Sequence, residues 1–250
     1  MPTLLAVTPH PDDESYSFGG TIARAADDGW RCLVVCASSG EAGERHNGGP
    51  LESGSLAATR EAELAESCRL LGAQILATLR LPDGHLREVP PPAGALDDAL
   101  TAAAPDVVLA LGADGAYGHP DHLAVYRWVT EAWARLASPP PLLFAAFPRG
   151  LFLPQYELCI GMMGDPPWPS PAAIGALRPQ SSVDIRGVAS RKLAAVAAHR
   201  SQLPGGDPYA LFPRGIVAAL LSSEWFVSAG DLTSAQRSAL PAWVRPEMDG

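Results

Sequence analysis

Short apolar runs alternate with amphipathic stretches along the first 150 residues of the chain. Residues 4–8 form an apolar run that stops at a proline, and residues 31–37 are apolar with β-branched side chains at their centre. Both predict strands, as do residues 75–79, 106–111 and 142–147. Between them lie helical patterns. Residues 17–29 end in a glycine, and Leu56–Leu71 carries apolar residues at helical spacing with Gly72 behind it. Ala93–Ala103 and residues 122–136 predict two further helices, and 186–200 and 211–226 two more. Strands alternating with helices of this length predict an α/β fold: a Rossmann-like, mainly parallel sheet flanked by helices.

Two segments break the pattern. Residues 138–180 are rich in proline, with Gly161, Gly164, Trp168 and the pair Met162–Met163. They read as irregular surface, as an active-site wall or as a linker. Residues 228–250 are polar and punctuated by proline, a loosely ordered tail. The length of 250 residues fits one domain, 1–250.

Composition excludes several functions. A net charge of −9 argues against a nucleic-acid partner, because phosphate binding needs basic surface. Cys32, Cys36, Cys68 and Cys159 form no CxxC pair, which fits a reduced, cytoplasmic protein. The apolar start is too short for a signal peptide, and no run approaches the length of a membrane helix. No GxSxG, GxxxxGK[ST], GxGxxG or HExxH motif is present, so a serine hydrolase elbow, a phosphate loop, a dinucleotide site and the common zinc-protease arrangement are all disfavoured.

The chemistry concentrates in two clusters. His10-Pro11-Asp12-Asp13-Glu14 follows the first predicted strand, and Tyr117-Gly118-His119-Pro120-Asp121-His122 follows the strand at 106–111. Carboxyl ends of parallel strands are where open α/β sheets bind ligands. His10 and Asp13, like His119 and His122, stand three apart, so each pair can face one way on a helical turn. Imidazole and carboxylate together suit zinc or another divalent transition metal, which lowers the pKa of a bound water to about 7. Either cluster alone also fits a turn with a capping aspartate. Both at strand ends point to a site.

These motifs resemble those of the PIG-L / LmbE-like family of zinc-dependent N-deacetylases, which includes N-acetylglucosaminyl deacetylases. Weaker matches are Ser39-Gly40-Glu41, Thr59-Arg60-Glu61-Ala62-Glu63, Leu81-Pro82-Asp83-Gly84, and Lys192 with Ala198-His199-Arg200-Ser201-Gln202. The resemblance covers the chain to about residue 128 and again around 184–202; residues 138–180 and those after 222 match nothing.

The resemblance implies that His10, Asp13 and His122 bind Zn2+, with Fe2+ or Co2+ as substitutes. Asp12 is then the general base, His119 the general acid or an oxyanion donor, Tyr117 a second oxyanion donor, and Asp121 the group that orients the His119 ring. Arg60 is expected to clamp a substrate oxygen, or to pair with Glu63 or Glu41. Asp83 is expected on a sugar hydroxyl, with Glu41 on the rim and His199 near the substrate. Tyr16, Tyr126 and the tryptophans suggest no role, and His46 and His85 read as loop residues. The expected substrate is a small N-acylated amino sugar or its conjugate, with no membrane partner. A homo-oligomer is compatible with the sequence. A thiol-conjugate amidase, an antibiotic-tailoring deacylase and a non-hydrolytic sugar-binding protein are the alternatives.

Overall fold

The computed structural model describes residues 1–46, 55–176 and 178–246. Strands β1 (Thr3–Thr8), β2 (Arg31–Ser38), β3 (Ala73–Leu81), β4 (Val107–Leu111) and β5 (Leu142–Ala145) fall where the apolar runs predict them. Helix α1 (Asp13–Asp27) links β1 to β2, and α2 (Leu56–Leu71) and α3 (Ala93–Ala103) lie before and after β3. Two helices follow β4: the single turn α4 (Gly115–Gly118) and the longer α5 (Pro120–Ala134). All pairings among these five strands are parallel.

The parallel strands are buried on both faces, so they read as continuous apolar runs. Their alternation still sorts side chains to two cores. Leu4, Ala6, Val34 and Leu109 join Phe18 and Ile22 of α1 and Leu64 and Leu71 of α2 on one face. Leu5, Val7, Val35 and Val108 meet Leu96 of α3 and Val125 and Trp128 of α5 on the other.

The remaining elements depart from expectation. Helix α6 (Leu153–Cys159) falls inside the proline-rich segment, and α7 (Ala189–Ala198) matches the later helical pattern. Residues 211–226, expected to be helical, hold the single turn α8 (Ile216–Ala219) and then strand β7 (Ser223–Ser228). Burial along β7 alternates, with Glu224 and Phe226 inward, a period of two hidden in an apolar stretch. β7 pairs antiparallel with β5 and with the short polar strand β6 (Ser181–Asp184). Far from a loose tail, the described residues from 228 to 246 carry α9 (Ser234–Ala239), capped by Thr233 and Gln236, and β8 (Arg245–Pro246) against β6. Trp243 is buried there, and its Nε1–H donates to Asp28. The sheet order is β3-β2-β1-β4-β5-β7-β6-β8. Among the described residues, no helix is long and apolar enough to cross a membrane.

The chain leaves β1 toward β2 and β3, then returns to place β4 on the other side of β1. The β1/β4 boundary is therefore the topological switch point, where the loops diverge and leave a crevice. Both His/Asp clusters lie there.

Candidate active site

The first cluster turns directly from β1 into α1, four residues before the helix was expected to begin. Asp13 and Glu14 occupy its first turn, where carboxylates face the positive end of the helix dipole. Asp12 precedes the helix with φ 121°, a conformation rarely adopted by a side-chain-bearing residue. Its carbonyl accepts the N–H groups of Ser15 and Tyr16. Just before the second cluster, Ala116 also has positive φ (64°), between Gly115 and Gly118, and this bend presents Tyr117. Strain of this kind costs on the order of 1–3 kcal/mol per residue and concentrates at functional sites. Pro120 starts α5, and the His119 ring accepts the Asp121 backbone N–H through Nδ1 at 3.2 Å.

His10, Asp13 and His122 are all buried, and one ligand atom from each lies within 4.8 Å of the others. His10 Nδ1 is 3.3 Å from Asp13 Oδ2, and His122 Nε2 is 3.5 Å from Asp13 Oδ1. The opposite ring nitrogens are occupied. His122 Nδ1 meets the Gly115 carbonyl at 3.1 Å, and His10 Nε2 meets carboxylates of Asp83 and Asp121, each at 3.1 Å. A ring anchored through one nitrogen with the other turned to a shared carboxylate is the arrangement of a metal-ligating histidine. The donor set, two imidazoles and one carboxylate, fits a divalent transition metal with a coordination position left for water.

Electrostatics separate the two neighbouring aspartates. Burial pushes the Asp12 carboxyl up to about 6, with the Asp13 charge adding to the rise and Arg60 opposing it. Asp13 is also buried, but His122 and His10 hold it well below the usual carboxylate range. Burial, reinforced by the nearby His122 and His10, drives His119 well below its ordinary value. Burial and the Asp13 charge keep Tyr117 protonated far above its usual value.

A cavity of about 600 Å³ opens over these residues. His10, Asp12, Asp13, Arg60, Asp83, Tyr117, His119 and His122 line it, so both clusters meet in one crevice. Arg60 lies beside Asp12 instead of either glutamate considered for it: its Nη2 donates to Asp12 Oδ2 at 3.1 Å and to the Pro11 carbonyl at 2.6 Å. Gly40, at φ 70°, makes room, since a Cβ there would stand 2.4 Å from the Arg60 guanidinium carbon.

Four side chains are engaged otherwise than expected. Asp121 meets the His119 ring, as expected, but through its backbone N–H; its carboxylate instead binds His10 and the N–H groups of Gly84 and Leu86, because α5 points it across the crevice. Glu41 is exposed and does not line the cavity; it accepts the Asp83 N–H at 3.0 Å. His199 is fully buried behind the cavity wall, its Nε2 2.8 Å from Glu14 Oε1. Asp83 lines the cavity, but its carboxylate is engaged by His10 and by the Ala42 N–H.

Other lining residues had no individual role from sequence, although a wall is one reading of the proline-rich segment. Tyr16 is buried edge-on to Phe212, and its hydroxyl has no hydrogen-bond partner among the described residues. Gln155, Leu158, Cys159 and Met162, all from the proline-rich segment, line one side of the cavity.

The model of the family described as PIG-L, GlcNAc-PI de-N-acetylase, matches residues 5–133. This chain belongs to the PIG-L family. The 1D-myo-inositol 2-acetamido-2-deoxy-alpha-D-glucopyranoside deacetylase of Rhodococcus erythropolis is 31% identical over 272 residues, covering 90% of both chains. The enzyme of the same name from Rhodococcus opacus is 33% identical over 266 residues, again covering 90% of each. A conserved protein of Thermus thermophilus superposes with a TM-score of 0.66 at 28% identity, covering 98% of this chain and 100% of that one. N,N'-diacetylchitobiose deacetylase from Pyrococcus horikoshii gives 0.59 at 26% identity, covering 90% and 83%. The PIG-L match spans both clusters and ends inside α5. The chain is thus a deacetylase of this family, with its His/Asp crevice at the sheet's switch point.

Proposed function

We propose that this PIG-L deacetylase removes the N-acetyl group from an amino sugar or its conjugate, with His10, Asp13 and His122 holding zinc. One observation carries the reading: Asp12 and Asp13 are adjacent in sequence, yet only Asp13 faces both histidines while Asp12 faces the cavity beside Arg60. Ligand and base are thereby separate. The names of the Rhodococcus and Pyrococcus relatives support an acetylated amino sugar.

Bound zinc would polarise the acyl carbonyl and acidify the attacking water. Asp12 takes the proton as the water oxygen bonds to the acyl carbon. Its raised pKa suits it to hand that proton to the nitrogen as the C–N bond breaks, because an unprotonated amide nitrogen leaves poorly. His119 receives a backbone N–H at Nδ1, so its neutral ring carries hydrogen on Nε2 and can donate to the developing oxyanion. Tyr117 stays protonated and donates to the same oxygen. Arg60 keeps Asp12 oriented and faces the substrate space. The products are acetate and a free amine.

The wall formed by Gln155, Leu158, Cys159 and Met162 supports a second choice of substrate. Leu158 is 73% exposed and Met162 51% exposed, and both border the cavity. Such a rim suits a conjugate whose group beyond the sugar is apolar. We assign the wall to substrate selection, and the four unpaired cysteines support a cytoplasmic location. Comparing kcat/KM for N-acetylglucosamine glycosides with polar and with aryl aglycones tests the choice. A preference for the aryl series that disappears in Leu158→Ser supports the conjugate reading, and a preference for polar glycosides excludes it.

A further inference from the structure

The Glu14 carboxylate is wholly buried and receives three hydrogen bonds. Oε2 accepts the Asp12 backbone N–H at 2.9 Å. Oε1 accepts the Ser67 hydroxyl of α2 and meets His199 Nε2 at 2.8 Å. His199 follows the last residue of α7, so three separate helices converge on one carboxylate. Ser201, in the same turn as His199, donates its N–H and hydroxyl to Glu63 of α2, each at 2.7 Å. That pair of bonds locks the turn, and with it His199, against α2.

We propose that Glu14, seated by His199 and Ser67, is the positioning residue that holds Asp12 at its positive φ and so aims the Asp12 carboxylate into the cavity. The assignment rests on the reading of Asp12 as the base. A glutamate that reaches back to the N–H at a helix start is a familiar local cap. A local cap needs no buried imidazole and hydroxyl from two other helices. Here the cap is itself held from outside, and the residue it caps is the strained one. Asp12 is clamped twice: Arg60 fixes its carboxylate and the preceding carbonyl, and Glu14 fixes its N–H. Without Glu14 in place, the Asp12 N–H would lack its partner, and relaxation of φ would swing the side chain away from Arg60. The segments around Arg60 and His199 thus carry polar residues that do not line the cavity because Ser67, Glu63 and His199 brace the base.

The test uses full-length, zinc-loaded protein carrying His199→Ala, His199→Gln, Glu14→Gln or Ser67→Ala. His199→Ala and Glu14→Gln should lower kcat about 10–100-fold, the range seen when a supporting partner is lost, with KM and bound zinc unchanged. His199→Gln, which retains an N–H donor, should recover most of that loss. Crystal structures of the impaired variants should show Asp12 leaving positive φ and parting from Arg60. Folded variants with unchanged kcat would overturn the proposal. So would a loss of kcat with Asp12 still in place. If Glu14→Gln or His199→Ala fails to fold, Ser67→Ala carries the same readouts with little loss of volume. Wild-type protein that releases no amine would refute the hydrolase reading alone, because the position of Asp12 in the variant structures still decides the positioning role.

Discussion

His10 Nε2 lies 3.1 Å from the Asp121 carboxylate, although 111 residues separate them in the chain. This contact joins the β1 cluster to the β4 cluster. Asp121 is fully buried and also accepts the N–H groups of Gly84 and Leu86, so it fixes the ring of His10 and the turn around Asp83 together. Asp121→Ala should weaken zinc binding about 10–100-fold, as other losses of a histidine's supporting carboxylate do. Chelator competition measures the change. Unaltered zinc affinity in a folded variant would show that His10 needs no such brace.

Asp12 lies beside Arg60 and outside the proposed ligand set of His10, Asp13 and His122. Asp12→Asn should therefore retain zinc while kcat falls by about 10²–10⁴, the usual contribution of general acid–base catalysis. Metal analysis and amine release on the same preparation separate the two effects. Loss of zinc together with activity would make Asp12 a ligand instead of a base.

Lys192, the only lysine, is buried against Glu224, with Nζ 2.7 Å from Oε1. Glu224 also accepts the N–H groups of Gly20 and Thr21 in α1. The pair ties α7, β7 and α1 together beneath the site. Lys192→Met leaves a buried carboxylate without its cation and should cost about 3–5 kcal/mol in urea unfolding. Adding Glu224→Gln should return part of that stability.

Asp114 lies at the bend before Tyr117, where its carboxylate accepts the N–H groups of Ala116 and Gly175. Burial pushes its carboxyl up to about 6, against those hydrogen bonds. The folded state then holds this proton more tightly than the unfolded chain. Its contribution to stability is greatest below about pH 4 and is lost as pH rises toward 6. Asp114→Asn removes that slope, so the variant's stability relative to wild type should be higher at pH 7 than at pH 4. Unfolding at the two pH values measures the difference, and an equal offset at both would place Asp114 at an ordinary pKa.

The parallel half of the sheet was legible in the sequence because strands buried on both faces are unbroken apolar runs. The site's place was legible because His10 and His119 each follow such a run. The antiparallel edge was not. β6 is four mostly polar residues, and β7 alternates within a stretch that also fits a helix. The partners of Asp121, Glu41 and His199 were hidden for another reason. Each is set by how α5, the loop after β2 and the end of α7 approach one another, and no local spacing encodes that approach. Glu14 stood inside the first motif, but its burial beneath Asp12 depends on α2 and α7.

Metal-dependent release of a primary amine from N-acetylated amino sugar glycosides tests the central claim most directly. Zinc-loaded protein and a chelated control are given the same substrates, and amine and acetate are both quantified. The two products should form in equal amounts, only with metal, and should be abolished by Asp12→Asn. Zinc bound at His10, Asp13 and His122 with no amine from any N-acyl sugar would contradict that claim.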